Sequence, residues 1–106
     1  MTEPRTIPCG AWPSPLTPAL TTVGAVSLSF ASAIGGTLYW IESRPAEKGR
    51  SVWMRCVPSG EVREVLDGLS VPADVRSSVH EYGGSAYAVV GERQVYSECA
   101  DQRLRV

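Results

Sequence analysis

Polar and apolar positions change their period along this chain, and the changes divide it. Up to Pro18 there is no period: Pro4, Pro8, Pro13, Pro15 and Pro18 each remove an amide donor and fix φ. This stretch is predicted to be an extended arm lying on another surface. Thr17 followed by Pro18 reads as an N-cap with proline at the first helical position. The helix it opens, Ala19 to Val23, is about one turn and stops at Gly24. From Ala25 the period is two. Val26, Leu28 and Phe30 alternate with Ser27 and Ser29, as in a half-buried strand. Gly35-Gly36 breaks it, and Thr37 to Ile41, rich in aromatic and β-branched residues, predicts a second strand. Glu42 to Gly49 reads as a loop, Ser51 to Val57 as a third strand, and Pro58-Ser59-Gly60 as a tight turn into a fourth, Glu61 to Leu66.

After Asp67-Gly68 the period is lost through Val71-Pro72-Ala73-Asp74. It returns in Ser85 to Val90, turns at Gly91-Glu92-Arg93, and returns again in Gln94 to Glu98, with another turn and strand opening at Asp101 to Val106. The rhythm repeats at the spacing of a propeller blade, roughly 40 to 50 residues. Gly35-Gly36-Thr37-Leu38-Tyr39-Trp40 also corresponds loosely to Gly83-Gly84-Ser85-Ala86-Tyr87-Ala88. The expected fold is all-β: antiparallel four-stranded meanders forming a partial β-propeller of about one and a half blades. Residues 1–24 are the proline-rich arm and short helix, 25–68 the first blade, and 69–106 a linker and the start of a second blade. A blade buries each sheet face against its neighbours, so Trp40, Trp53 and Val89 are expected to lack a neighbour here. Leaving such side chains in water forfeits several kcal/mol, at about 25 cal/mol per Å². The chain on its own is therefore expected to be marginal, to self-associate, or to need the rest of a larger protein.

Composition narrows the function. Net charge is −1, with acids and bases interspersed, so no basic stripe is available for a nucleic acid. No apolar run approaches the ~20 residues that span a bilayer. Met1 to Pro8 has no apolar core and is not a secretory signal, which makes the cytoplasm the expected compartment. The three cysteines, Cys9, Cys56 and Cys99, are odd in number and widely spaced, and read as reduced thiols.

Three segments carry a resemblance. CGAWPSPLTP (Cys9 to Pro18), GGTLYWIESRPAEKGRSVWMR (Gly35 to Arg55) and VHEYGGSAYAV (Val79 to Val89) together resemble the amino-terminal propeller of the prolyl oligopeptidase family. The closest branch looks like the bacterial dipeptidyl-aminopeptidase and acylaminoacyl-peptidase group, and ADQRL (Ala100 to Leu104) looks like that group's next strand. Cys9, Ser85 and Cys99 depart from the pattern, as does the ending Leu104-Arg105-Val106. The resemblance implies a propeller coupled to a carboxy-terminal α/β-hydrolase domain that carries a Ser-His-Asp triad. The propeller would restrict the active site to peptides and small amides. The implied partners are thus the remaining blades, that hydrolase domain, and a peptide substrate, with no nucleic acid, membrane or cofactor.

The residues themselves hold no catalytic set. A hydrolase of that fold needs a GxSxG elbow between strand and helix, and none occurs. Pro58-Ser59-Gly60 and Gly84-Ser85-Ala86 sit between strands, and the lone His80 has no nucleophile at a recognisable spacing. His80 and Glu81 are adjacent, so on a strand they point to opposite faces and do not share a metal ion. The glycine pairs form neither GxGxxG nor a Walker loop and are expected to supply positive φ at turns. His80-Glu81-Tyr82 is the one candidate segment, expected to open the innermost strand of the second blade. There Glu81 would meet a substrate's amino group in the channel; in the structural alternative His80 and Glu81 bond the neighbouring blade and Tyr82 packs between sheets. Trp12, Tyr39, Trp40, Trp53 and Tyr87 are expected to pack between blades or under the arm. Two other readings stand beside the peptidase: a propeller-type binding or scaffold protein without a hydrolase domain, and a small self-contained β-sandwich.

Overall fold

Two antiparallel sheets and the linker threaded between them build the fold of this chain, seen in a computed structural model that describes residues 3–79, 82 and 84–106. The elements run α1 (Pro18–Thr22), β1 (Ser27–Ile34), β2 (Thr37–Arg44), β3 (Arg50–Cys56), β4 (Val62–Glu64), β5 (Tyr87–Val90), β6 (Arg93–Ser97) and β7 (Leu104–Arg105). The first sheet has the order β1-β2-β3-β4 and the second β5-β6-β7, each a simple meander.

Local chemistry accounts for the turns. Gly35 and Gly36 have φ of 57° and 80°, the two positive values a tight β1–β2 hairpin demands. The Thr17 hydroxyl accepts from the Leu20 amide at 3.1 Å and caps α1 as expected. The predicted loop at 42–49 is shorter than read. Glu42, Ser43 and Arg44 stay in β2 because they pair with Val52, Ser51 and Arg50. Only a single 3-10 turn, Pro45–Glu47, and the left-handed Lys48 and Gly49 remain to reverse the chain. The fourth strand is also shorter than Glu61 to Leu66. Beyond Glu64 the chain leaves the ladder, and Val65 and Leu66 turn in to pack against the core.

Strand β1 departs from the half-buried strand its alternation suggested. Every residue in it is exposed except Ser32, which is half-buried. Register explains which side faces what. Ser29 and Ser32 lie opposite Ile41 and Tyr39, on the face turned toward the second sheet, while Leu28 lies opposite Glu42 on the outer face. Leu28 thus points away from the core. The pairing shifts between Ser29 and Ser32, where Phe30 takes φ 51°, a left-handed conformation costly for a bulky residue.

The core lies between the sheets. Tyr39, Ile41 and Trp53 from the first meet Ala86, Tyr87 and Tyr96 from the second. The Trp53 and Tyr87 ring centroids are 4.8 Å apart, and Tyr39 and Tyr96 stand 6.1 and 6.4 Å from Trp53. Trp53 is 1% exposed, so it does not lack a neighbour. The second sheet, short as it is, supplies the wall, and Val89 packs against the same cluster. Trp40 points to the outer face, half-buried, its indole N–H donating to Glu42 at 3.2 Å. The linker that lost its period contributes Ala73 and Val75 to this core. The Val75 amide bonds the Ser51 carbonyl at 2.8 Å, and Val75 bridges Glu98 on the other side. A segment shared between two sheets follows neither one's alternation.

The second glycine pair behaves unlike the first. Gly84 is not left-handed, and β5 begins at Tyr87, so Tyr82 and Gly84 lie in the approach to the strand and not in it. Gly83 is outside the described residues. Trp12, in the arm, is 61% exposed.

Candidate functional site

The candidate segment approaches β5 from the linker. His80 and Glu81 lie outside the described residues. Tyr82 is described, in a turn, and 97% exposed, so it does not pack between the sheets. It borders a cleft of about 200 Å³ between the sheets, with Ser29, Phe30, Arg76 and Gly84 among its walls. That volume is below the ~300 Å³ at which small-molecule pockets begin. A larger cleft, about 710 Å³, opens on the outer face of the second sheet and is walled by Val79, Ala88, Val95, Gln102 and Leu104. Its lining is mainly apolar, with serine hydroxyls but no acid or base among the wall residues.

The strongest electrostatic feature is elsewhere, and the sequence reading missed it. Arg44 meets Glu42 at 2.8 Å, Glu47 at 3.1 Å and Glu64 at 3.1 Å. Arg50 meets Glu47 at 3.0 Å and Glu64 at 3.4 Å. The five charges close over the outer face of β2 and β3, where an Arg44 nitrogen also touches the Met54 sulfur at 3.4 Å. Hydrogen bonds from Arg50 and then Arg44 hold the Glu47 carboxyl below its ordinary range. Each carboxylate here is engaged by a guanidinium, which suits a structural brace and not a general base. A signal was present in the sequence: Glu42, Arg44, Glu47 and Arg50 alternate in sign across a stretch read as loop.

Nucleophiles are sparse. Cys9 is exposed, Cys56 and Cys99 are half-buried, and all three are free thiols. Burial, followed by the charge of Asp74, pushes the Cys99 thiol up, away from reactivity. Among the described residues no three of His, Cys, Asp and Glu come together as a metal site. No described helix is long and apolar enough to cross a membrane. Trp53 Nε1 is the one buried side-chain polar atom without a hydrogen-bond partner among the described residues. Its surroundings are tyrosine rings, and no cleft described above reaches it.

No family model and no curated protein matches the chain. Solved structures do. The chain is similar to a Mycobacterium tuberculosis puromycin-hydrolyzing peptidase, at 38% identity and a TM-score of 0.76, over 93% of this chain and 15% of that one. A puromycin hydrolase matches at 33% identity and 0.72, again over 93% and 15%. A serine-to-alanine mutant of puromycin hydrolase complexed with PGG matches at 34% and 0.75 with the same coverage. The chain therefore spans about 15% of the length of the structures it matches. Identity at this level over nearly the whole chain, on the same meander of short antiparallel strands, makes it similar to a stretch of the propeller portion of these peptidases, which are of the prolyl oligopeptidase family.

Proposed function

We propose that this chain supplies the first wedge of the propeller that covers the catalytic domain of a serine peptidase, and that its role there is to gate substrate access. Residues 1–24 form an arm reaching toward the rest of the protein, 25–68 the first blade, and 69–106 the linker and start of the second. The observation that carries this reading is 38% identity over 93% of the chain to a puromycin-hydrolyzing peptidase. The chemistry belongs to a hydrolase domain beyond the wedge. Its substrates are aminoacyl amides of the puromycin type or short peptides, with exopeptidase and acyl-peptide-releasing specificities both compatible with this portion. A cytoplasmic enzyme is the simplest setting for three free thiols.

Within the wedge, His80, Glu81 and Tyr82 are the residues proposed to face the substrate channel. The exposure of Tyr82 beside the inter-sheet cleft supports this, because a side chain committed to packing would be covered. The test is turnover. The gene product containing this wedge, assayed with puromycin and with aminoacyl and acylated chromogenic amides, is expected to hydrolyse at least one class. The 106-residue chain alone is expected to hydrolyse none. A Glu81→Gln change in the active protein is expected to raise KM for substrates with a free amino group and to spare acylated ones. A gene product without turnover would favour the propeller scaffold over the peptidase.

A further inference from the structure

The linker between the sheets belongs to neither, yet it is hydrogen-bonded to both. Toward the first sheet, the Val75 amide donates to the Ser51 carbonyl at 2.8 Å, and the Ser51 amide donates to the Asp74 carboxylate at 2.9 Å. The Arg50 guanidinium donates to the Ala73 carbonyl at 2.9 Å. Toward the second sheet, the Arg76 amide donates to the Ser97 carbonyl at 3.1 Å and the Cys99 amide to the Asp74 carbonyl at 2.8 Å. These two bonds frame the antiparallel bridge of Val75 with Glu98. The Asp74 amide donates to the Glu98 carboxylate at 3.2 Å. Asp74 thus commits its main chain to one sheet and its carboxylate to the other.

Burial makes these bonds hard to open separately. Val75 and Ala73 sit in the inter-sheet cluster with Trp53, Tyr87 and Tyr96. Lifting the linker from the first sheet would wet Val75 and Trp53 and strand both main-chain groups of Ser51. Lifting it from the second would strand the Ser97 carbonyl and the Cys99 amide. The Tyr87 hydroxyl adds a direct tie, donating to the Phe30 carbonyl beside Ser32. Neither side of the linker is the weaker one, which is the condition for the two sheets to open only as a unit.

From these contacts we infer that residues 73–76 are a strap coupling the two sheets into one rigid gate element, with Asp74 as the coupling residue. The gate then moves both sheets together, and substrate passes around the pair and not between them. The gating half of this inference rests on the proposed function; the coupling half stands on the hydrogen bonds alone.

Hydrogen exchange of the full gene product, resolved to single amides, tests the coupling without any turnover. The Val75 amide reports the first-sheet side of the strap, and the Arg76 and Cys99 amides the second. Their protection factors are expected to agree within about fivefold, as for one opening unit. A wider gap in either direction means that the sheets part at the strap, and overturns the inference. Asp74→Ala removes the acceptor of the Ser51 amide. It is expected to lower the protection of all three amides by a common factor, roughly fivefold, the worth of one hydrogen bond. A loss confined to one side of the strap would contradict the coupling. Asp74→Asn keeps a side-chain oxygen, is expected to restore the protection, and replaces the alanine variant if that one does not fold. The gating half is read from kcat/KM for a long peptide relative to a short one. In Asp74→Ala that ratio is expected to stay within about twofold of the parent's. A larger gain for the long peptide would show that substrate enters between the sheets. A gene product without turnover would count against the peptidase reading, while exchange would still decide the coupling.

Discussion

The hydroxyl of Tyr87 donates to the main-chain carbonyl of Phe30, 57 residues earlier and in the other sheet. The same hydroxyl lies 2.8 Å from Ser32 Oγ. Both partners sit at the irregularity in β1, where the ladder to β2 slips and Phe30 is left-handed. One phenol thus satisfies a carbonyl that the bulge withdrew from its sheet, and fixes the first sheet's edge strand to the second sheet's first strand.

Removing that hydroxyl while keeping the ring should isolate the tie. Tyr87→Phe is expected to destabilise by about 1–2 kcal/mol, the range for stranding a partly buried acceptor. Ser32→Ala should cost less, and the double change no more than Tyr87→Phe alone, because both act through one oxygen. Urea midpoints at fixed protein concentration measure all three.

Trp53 is the keystone of the inter-sheet cluster. Trp53→Ala is expected to cost about 3–5 kcal/mol by opening a cavity among three tyrosines. Trp53→Phe should cost roughly half as much, since it also removes an indole N–H that has no partner. Denaturant titration followed by tyrosine fluorescence would distinguish the two. Equal losses would mean that volume matters less than the indole itself.

Acid should loosen the charge network. The Glu47 carboxyl titrates below its ordinary range in the folded chain, through its bonds to Arg50 and Arg44. A depressed folded value means the contribution is complete above the unfolded value, ~4.3, and is lost as pH falls through the lower folded value. Stability of the parent chain should therefore fall more steeply below about pH 4.3 than that of Glu47→Gln. Added salt should shrink the difference, because Glu47 is largely exposed.

The thiols should react in order of accessibility. Cys9 is exposed, while Cys99 is half-buried with its thiol pushed up by burial and then by Asp74. With a disulfide-exchange reagent at neutral pH, Cys9 is expected to react first and Cys99 slowly, gaining speed in denaturant. Comparing Cys9→Ser with Cys99→Ser assigns the phases. A fast Cys99 would mean an environment more open or more cationic than the one described.

Much of the strand order could be read along the chain because period two and glycine turns are local signals. Gly35-Gly36 closes its hairpin with the positive φ values the turn requires, and Thr17 caps its helix. The family resemblance was equally legible, since WPSP, GGTLYW and HEYGG are runs of adjacent residues. The candidate segment was legible only as a position. His80 and Glu81 lie outside the described residues.

What tertiary structure alone decided is which faces are covered. Alternation shows that a strand has two unlike faces but not which one finds a neighbour. Leu28 alternates as well as Ile41 does, yet only Ile41 is buried, because the second sheet packs on its side. Trp53 and Val75 became core, and Glu64 joined the network of Glu42, Arg44, Glu47 and Arg50, through contacts between residues distant in sequence. By itself the sequence determined the local conformations and the kinship; burial and charge pairing were settled by where the chain returned in space.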